Sequence, residues 1–258
     1  MRVDDEFDVD EATDYVIKYV RRAFNDLSIK YRYKYIVEKT ENNTLRINFV
    51  NKIFPEAKFI FVIRDGRDVI ASMLKRRHQS IDPVFLLKKA RYLPLSDISV
   101  VTIRYFKNMF RRYFFNKRIV YQLGPVFKGM EKMLSNHTEA EIVAMQWAKC
   151  LEKANKDLNK IDSDRSCIIK YEELVKNPKS TIFDLIKFLN IKLSKEEINI
   201  FINNILISDL GKETASSEMK IVKGISDKHV EIWKRELDDD TLHSIMPVIE
   251  NTMNELGY

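Results

Sequence analysis

The sequence predicts an α/β fold in which a short parallel sheet is covered by helices. Three observations predict it. Phe59 to Ile63 are five consecutive apolar residues, the pattern of a strand buried on both faces. Arg64-Asp65-Gly66-Arg67-Asp68 then turns the chain, and from Val69 the residue types are those of a helix, giving strand and helix over 58–77. A second brief strand, Ser166 to Lys170, leads directly into Tyr171-Glu172-Glu173-Leu174. Strands that are few, short and separated by helical stretches form a parallel sheet with helices on its faces.

The remaining elements follow in order. Residues 1–10 are acidic. Tyr15, Tyr19, Val20 and Phe24 recur near helical spacing and predict an amphipathic helix over Asp10 to Asp26. Tyr31 to Glu38 is aromatic and β-leaning, and reads as a short strand. Leu45 to Phe54 reads as a helix stopped by Pro55. Thr138-x-x-Glu141 is a capping box that opens a long helix carrying Met145, Trp147 and Leu151. Pro178 starts a helix through Leu189, with Phe183, Ile186 and Leu189 expected inside. Ser194-x-x-Glu197 caps another helix; one is expected around Trp233 and a last one from Thr241 to Leu256.

A chain of 258 residues can bury one large core, so a single domain over 1–258 is expected. A hydrophobic share of 45% and a charged share of 32% fit a soluble globular protein. No apolar run is long enough to span a bilayer, and no signal peptide is expected at Met1. Two cysteines, Cys150 and Cys167, make no disulfide framework and point to a reducing, cytoplasmic compartment. The four histidines are scattered and no metal site is expected.

The net charge of +6 is unevenly distributed. Lys75 to Lys128 holds 13 basic residues against Asp82 and Asp97, leaving 31 basic against 36 acidic elsewhere. Ten aromatics are interleaved with those basic residues, and Val101, Tyr105, Phe106, Met109, Phe110, Tyr113 and Phe114 form an apolar stripe at helical spacing. Such a field suits an anionic partner. Three readings remain open: a segment over 78–137 that holds an anionic partner, a helical subdomain packed on the core with solvated arginines, and a helix on a membrane surface.

The candidate site lies at the carboxyl end of the first strand, where α/β proteins place ligands. Arg64 stands at that edge, and Ser72 and Arg76 lie four apart on one face of the following helix. Two guanidiniums and a hydroxyl beside a helix start would make a phosphate site. An ordinary strand–helix turn with a solvated charge cluster explains the same residues. Arg67 and Asp68 are expected to pair with one another or cap the helix, Trp147 and Trp233 to lie in the core, and Glu38 to form a salt bridge rather than act as a base.

Four blocks, in the correct order, resemble sulfotransferases that use 3'-phosphoadenosine 5'-phosphosulfate (PAPS), both a bacterial group and the tyrosylprotein type. Val37-Glu38-Lys39-Thr40 with Asn43 and Leu45-Arg46 is similar to the family's E-K-T-P block. Phe54 to Val69, continuing to Ser72, resembles its 3'-phosphate motif. Tyr171 to Leu174 with Pro178 and Phe188-Leu189 resembles its second nucleotide block, and Lys223 to Trp233 its C-terminal loop. The resemblance implies a three-layer, P-loop-like fold and a PAPS cofactor whose product is adenosine 3',5'-bisphosphate. It implies that Arg64 and Ser72 hold the 3'-phosphate, supported by Arg76, and that Tyr171 contacts the nucleotide. By the same resemblance Ser208, Ser216 and Ser217 would line the nucleotide and Lys223 would reach a phosphate. Lys39 would stabilise charge at the transferring sulfuryl group.

The sequence departs from that pattern at Glu41, where the family has proline. Nothing before residue 58 resembles the family's first strand and 5'-phosphosulfate loop, so the first strand and phosphate loop are expected to be missing. The expectations are therefore two. One is sulfuryl transfer to a hydroxyl, with a glycan or other carbohydrate-containing acceptor placed by 78–137. The other is a truncated, non-catalytic remnant that binds nucleotide, an anionic polymer or a membrane surface. Without a Gly-x-x-x-x-Gly-Lys-Ser/Thr loop a kinase is disfavoured, and no recognised module supports nucleic-acid binding.

Overall fold

The computed structural model describes residues 4–78, 124–207 and 227–258. The basic aromatic stripe near 100–118, the Ser208–Ser217 stretch and Lys223 lie outside the described residues. In chain order the helices are α1 (Asp14–Tyr31), α2 (Ile47–Ile53), α3 (Gly66–His78), α4 (Met130–Met133), α5 (Glu139–Leu158), α6 (Tyr171–Lys176), α7 (Pro178–Phe188), α8 (Lys195–Ile207), α9 (Trp233–Glu236) and α10 (Asp239–Glu255). Among the described residues the strands are β1 (Phe59–Ile63) and β2 (Ser166–Lys170). They pair in parallel, Phe59 beside Ser166 through Ile63 beside Lys170, so both strands end at one edge. The predicted α/β architecture with a short parallel sheet flanked by helices is observed.

Helix α5 organises the core. Its capping box forms as expected: the Glu141 N–H donates to the Thr138 hydroxyl at 3.3 Å, and the Thr138 N–H donates to the Glu141 carboxylate at 2.7 Å. Val143, Ala144, Trp147 and Leu151 pack with Ile63 of β1, Ile70 of α3, and Ile245, Ile249 and Met253 of α10. The opposite side of α5, through Ile142 and Cys150, joins Leu45, Phe127 and Met130. Burial in apolar surroundings pushes the Cys150 thiol up to about 12, so it packs as an inert side chain. Ser194 and Glu197 form the second predicted capping box.

Five expectations are corrected. Helix α1 begins at Asp14 and buries no residue; Tyr15 and Tyr19 stack on each other, and the helix is tied down by Phe24 against Phe54 and by the Arg21–Glu56 ion pair. The helix also consumes Tyr31, and Arg32 ends it in a left-handed conformation at φ 55°. Residues 33–40 therefore run on without strand pairing among the described residues, whose one ladder joins β1 to β2. The predicted helix over 45–54 divides into a 3₁₀ turn, Glu41–Leu45, and α2. Strand β1 is not buried on both faces: Ile60 is 40% and Val62 51% exposed, while Phe61 and Ile63 face the core. In α7 the inner position belongs to Ile182, which packs with Leu174, Ile186 and Ile198, and Phe183 is left 48% exposed.

Candidate functional site

The parallel register brings Arg64, the residue after β1, beside Tyr171, the residue after β2. The Arg64 guanidinium lies over the Tyr171 ring at 4.9 Å from its centroid. Its Nη1 donates to the Ser72 hydroxyl at 3.3 Å, one turn and a half into α3. Nη2 donates to the His229 carbonyl and lies 3.5 Å from the Asp68 carboxylate. The Nε–H is buried and has no hydrogen-bond acceptor among the described residues.

The helix start itself is already occupied. The Asp65 N–H donates to Glu172 at 3.0 Å, and the Asp65 carboxylate takes the Arg67 N–H at 2.8 Å and the Arg67 guanidinium at 2.6 Å. That hydrogen bond, with the charge of Asp65, raises the Arg67 pKa further. Arg67 thus pairs with Asp65 rather than with Asp68, and its guanidinium stacks over Trp233 at 4.3 Å. The Asp65 and Arg67 N–H groups are thus already bonded within the turn.

Asp68 has a role that the sequence did not disclose. Its buried carboxylate accepts the N–H groups of Glu231 at 2.9 Å and Trp233 at 3.1 Å, docking the 227–233 segment on α3. Burial pushes its pKa up, against the pull of the Trp233 N–H and of Arg64. Burial likewise raises the Tyr171 phenol. Gly66 allows α3 to approach the core this closely: a Cβ there would sit 3.0 Å from the Trp147 ring. Trp147 is core as expected, whereas Trp233 is a half-buried platform for Arg67.

The structure therefore joins Arg64, Ser72 and Tyr171. Arg76 is exposed on α3, one turn beyond Ser72. Lys39 is 80% exposed and paired at 3.1 Å with Glu41, the residue that replaces the family's proline. Glu38 accepts from the Asn43 amide and not from Lys39. Among the described residues no group of three potential metal ligands occurs, and no helix is long and apolar enough to cross a membrane.

Residues 33–257 match the sulfotransferase domain family, and the chain belongs to that family. It is 24% identical to a Drosophila melanogaster protein named protein-tyrosine sulfotransferase over 216 residues, which are 82% of this chain and 32% of that protein. The chain thus spans about a third of that relative's length. The sulfotransferase domain from the curacin biosynthetic pathway aligns with 90% of this chain and 68% of its own, at 15% identity and a TM-score of 0.49.

Proposed function

We propose that this chain binds PAPS with the 3'-phosphate at Arg64 and Ser72 and serves sulfuryl transfer to a hydroxyl of an acceptor. The observation that carries the reading is the partly exposed Arg64 guanidinium, braced by the Ser72 hydroxyl and stacked on Tyr171, with no acceptor for its Nε–H among the described residues. These residues fit a phosphate monoester: the guanidinium supplies directional charged donors and the hydroxyl a neutral one. Tyr171 offers its ring to the nucleotide side, and Arg76 adds positive charge one turn along α3. When bound, the cofactor supplies an activated sulfuryl group. Ser216, Ser217 and Lys223 complete the nucleotide site in this reading, and Lys39 stabilises charge at the transfer end.

For the acceptor we propose a glycan or another carbohydrate-containing molecule held by the 78–137 insertion of a single domain, where aromatics would stack on sugar faces and basic residues hold carboxylates or sulfates. Two free cysteines favour a reducing, cytoplasmic setting. A second reading, nucleotide binding without transfer, is favoured by the Lys39–Glu41 ion pair, which neutralises the proposed transfer-end cation.

Calorimetric titration with adenosine 3',5'-bisphosphate and with adenosine 5'-monophosphate tests the cofactor site. The bisphosphate is expected to bind at least about tenfold more tightly, the scale of one charged hydrogen bond. Equal affinities would remove the assignment. Incubation with PAPS labelled in its sulfur and a panel of hydroxyl acceptors separates transfer from binding alone.

A further inference from the structure

The carboxylate of Glu172 is shared between two distant parts of the chain. Its Oε1 accepts the Asp65 N–H at 3.0 Å, and its Oε2 accepts the Tyr258 hydroxyl at 2.7 Å. Tyr258 is itself held from three directions. Its N–H donates to the Met253 carbonyl at 3.0 Å, closing α10. Lys170, the last residue of β2, donates to the Gly257 carbonyl at 2.9 Å and lies 4.6 Å from the centroid of the Tyr258 ring. The turn at Gly257 has φ +70°, and a Cβ there would stand 3.3 Å from the Lys170 ammonium. Gly257 and Tyr258 are thus folded onto the same sheet edge that carries Arg64 and Tyr171.

The Asp65 N–H belongs to the peptide group that joins Asp65 to Arg64. Fixing that N–H fixes the plane of the peptide, and with it the direction in which Arg64 leaves the backbone. The guanidinium sits at the end of a long side chain, so a small rotation of the plane is amplified at the donors. Binding constellations must be held within about 0.5 Å. Burial, followed by the bond to Glu172, holds the Tyr258 phenol protonated far above neutral pH, so it remains the donor in this chain of bonds.

We propose that Tyr258 is a positioning residue for the nucleotide site: acting through Glu172, it sets the Arg64–Asp65 turn so that Arg64 meets the 3'-phosphate. This rests on the nucleotide reading above. Two measurements on the full chain test it, the ratio of the Kd for adenosine 5'-monophosphate to that for adenosine 3',5'-bisphosphate, and the exchange rate of the Asp65 amide.

In Tyr258→Phe the ratio is expected to fall about fivefold, the scale of one net hydrogen bond, while the monophosphate Kd stays within about twofold. The Asp65 amide should exchange faster. Glu172→Gln can accept the Asp65 N–H with its amide oxygen and donate to the phenol with its NH₂, so it should keep the ratio, whereas Glu172→Ala should lose it. If Tyr258→Phe does not fold, the Glu172 pair decides. An unchanged ratio or unchanged Asp65 exchange in folded Tyr258→Phe, or equal ratios in Glu172→Gln and Glu172→Ala, would overturn the proposal. If those results occur while Arg64→Ala abolishes discrimination, the nucleotide site stands and only the positioning role falls. A wild-type chain without discrimination removes the site and the proposal together.

Discussion

Arg64 and Tyr171 meet across two neighbouring strands: the guanidinium that follows β1 lies 4.9 Å from the centre of the ring that follows β2. A cation over an aromatic face contributes about 0.5–1 kcal/mol at a partly exposed site, and keeps the guanidinium plane in one orientation. Tyr171→Leu should therefore weaken adenosine 3',5'-bisphosphate binding about two- to fivefold, measured by calorimetry. Tyr171→Phe, which keeps the face, should stay within about twofold of wild type.

Gly66→Ala tests how closely α3 must approach α5. The added methyl would stand 3.0 Å from three carbons of the Trp147 ring, and that ring is packed among Ile63, Ile70 and Ile249. Overpacking of this kind costs about 1–3 kcal/mol. Thermal or urea unfolding should show the loss, and an unchanged midpoint would mean that Trp147 yields freely.

These two relationships show how unevenly the site could be read in advance. Arg64 and Tyr171 each directly follow a strand and Ser72 lies on the helix after the first, so local pattern alone placed the three near one sheet edge. The partners that hold them were not legible. Asp68 reaches the N–H groups of Glu231 and Trp233 across more than 160 residues, and Glu172 reaches Tyr258 across 86. A backbone N–H has no residue signature, so nothing along the chain marks such pairs. The assumption that an apolar run must be covered on both faces failed for the same reason. Phe59 to Ile63 fix a strand, but covering Ile60 and Val62 depends on neighbours the run does not encode. The capping boxes at Thr138 and Ser194 were readable because donor and acceptor lie three residues apart.

The Thr138 box supplies a pH-dependent prediction. Bonds from Thr138, first through its backbone N–H, hold the Glu141 carboxyl below its ordinary 4.5, with His137 3.7 Å away adding a smaller pull. A depressed carboxyl stabilises the fold above its unfolded pKa, and that contribution is lost as pH falls through the folded value. Thr138→Ala should cost about 1 kcal/mol at neutral pH. Glu141→Ala should cost somewhat less, and its deficit should shrink as pH drops below 4.5, followed by unfolding midpoints across an acid series.

The most direct measurement is a calorimetric titration of wild type and Arg64→Ala with adenosine 3',5'-bisphosphate and with adenosine 5'-monophosphate. Wild type should prefer the bisphosphate. Arg64→Ala should lose about 2–3 kcal/mol of bisphosphate affinity, roughly 30- to 150-fold, with little change for the monophosphate. Comparable bisphosphate affinity in the two proteins would contradict the assignment of Arg64 to the 3'-phosphate.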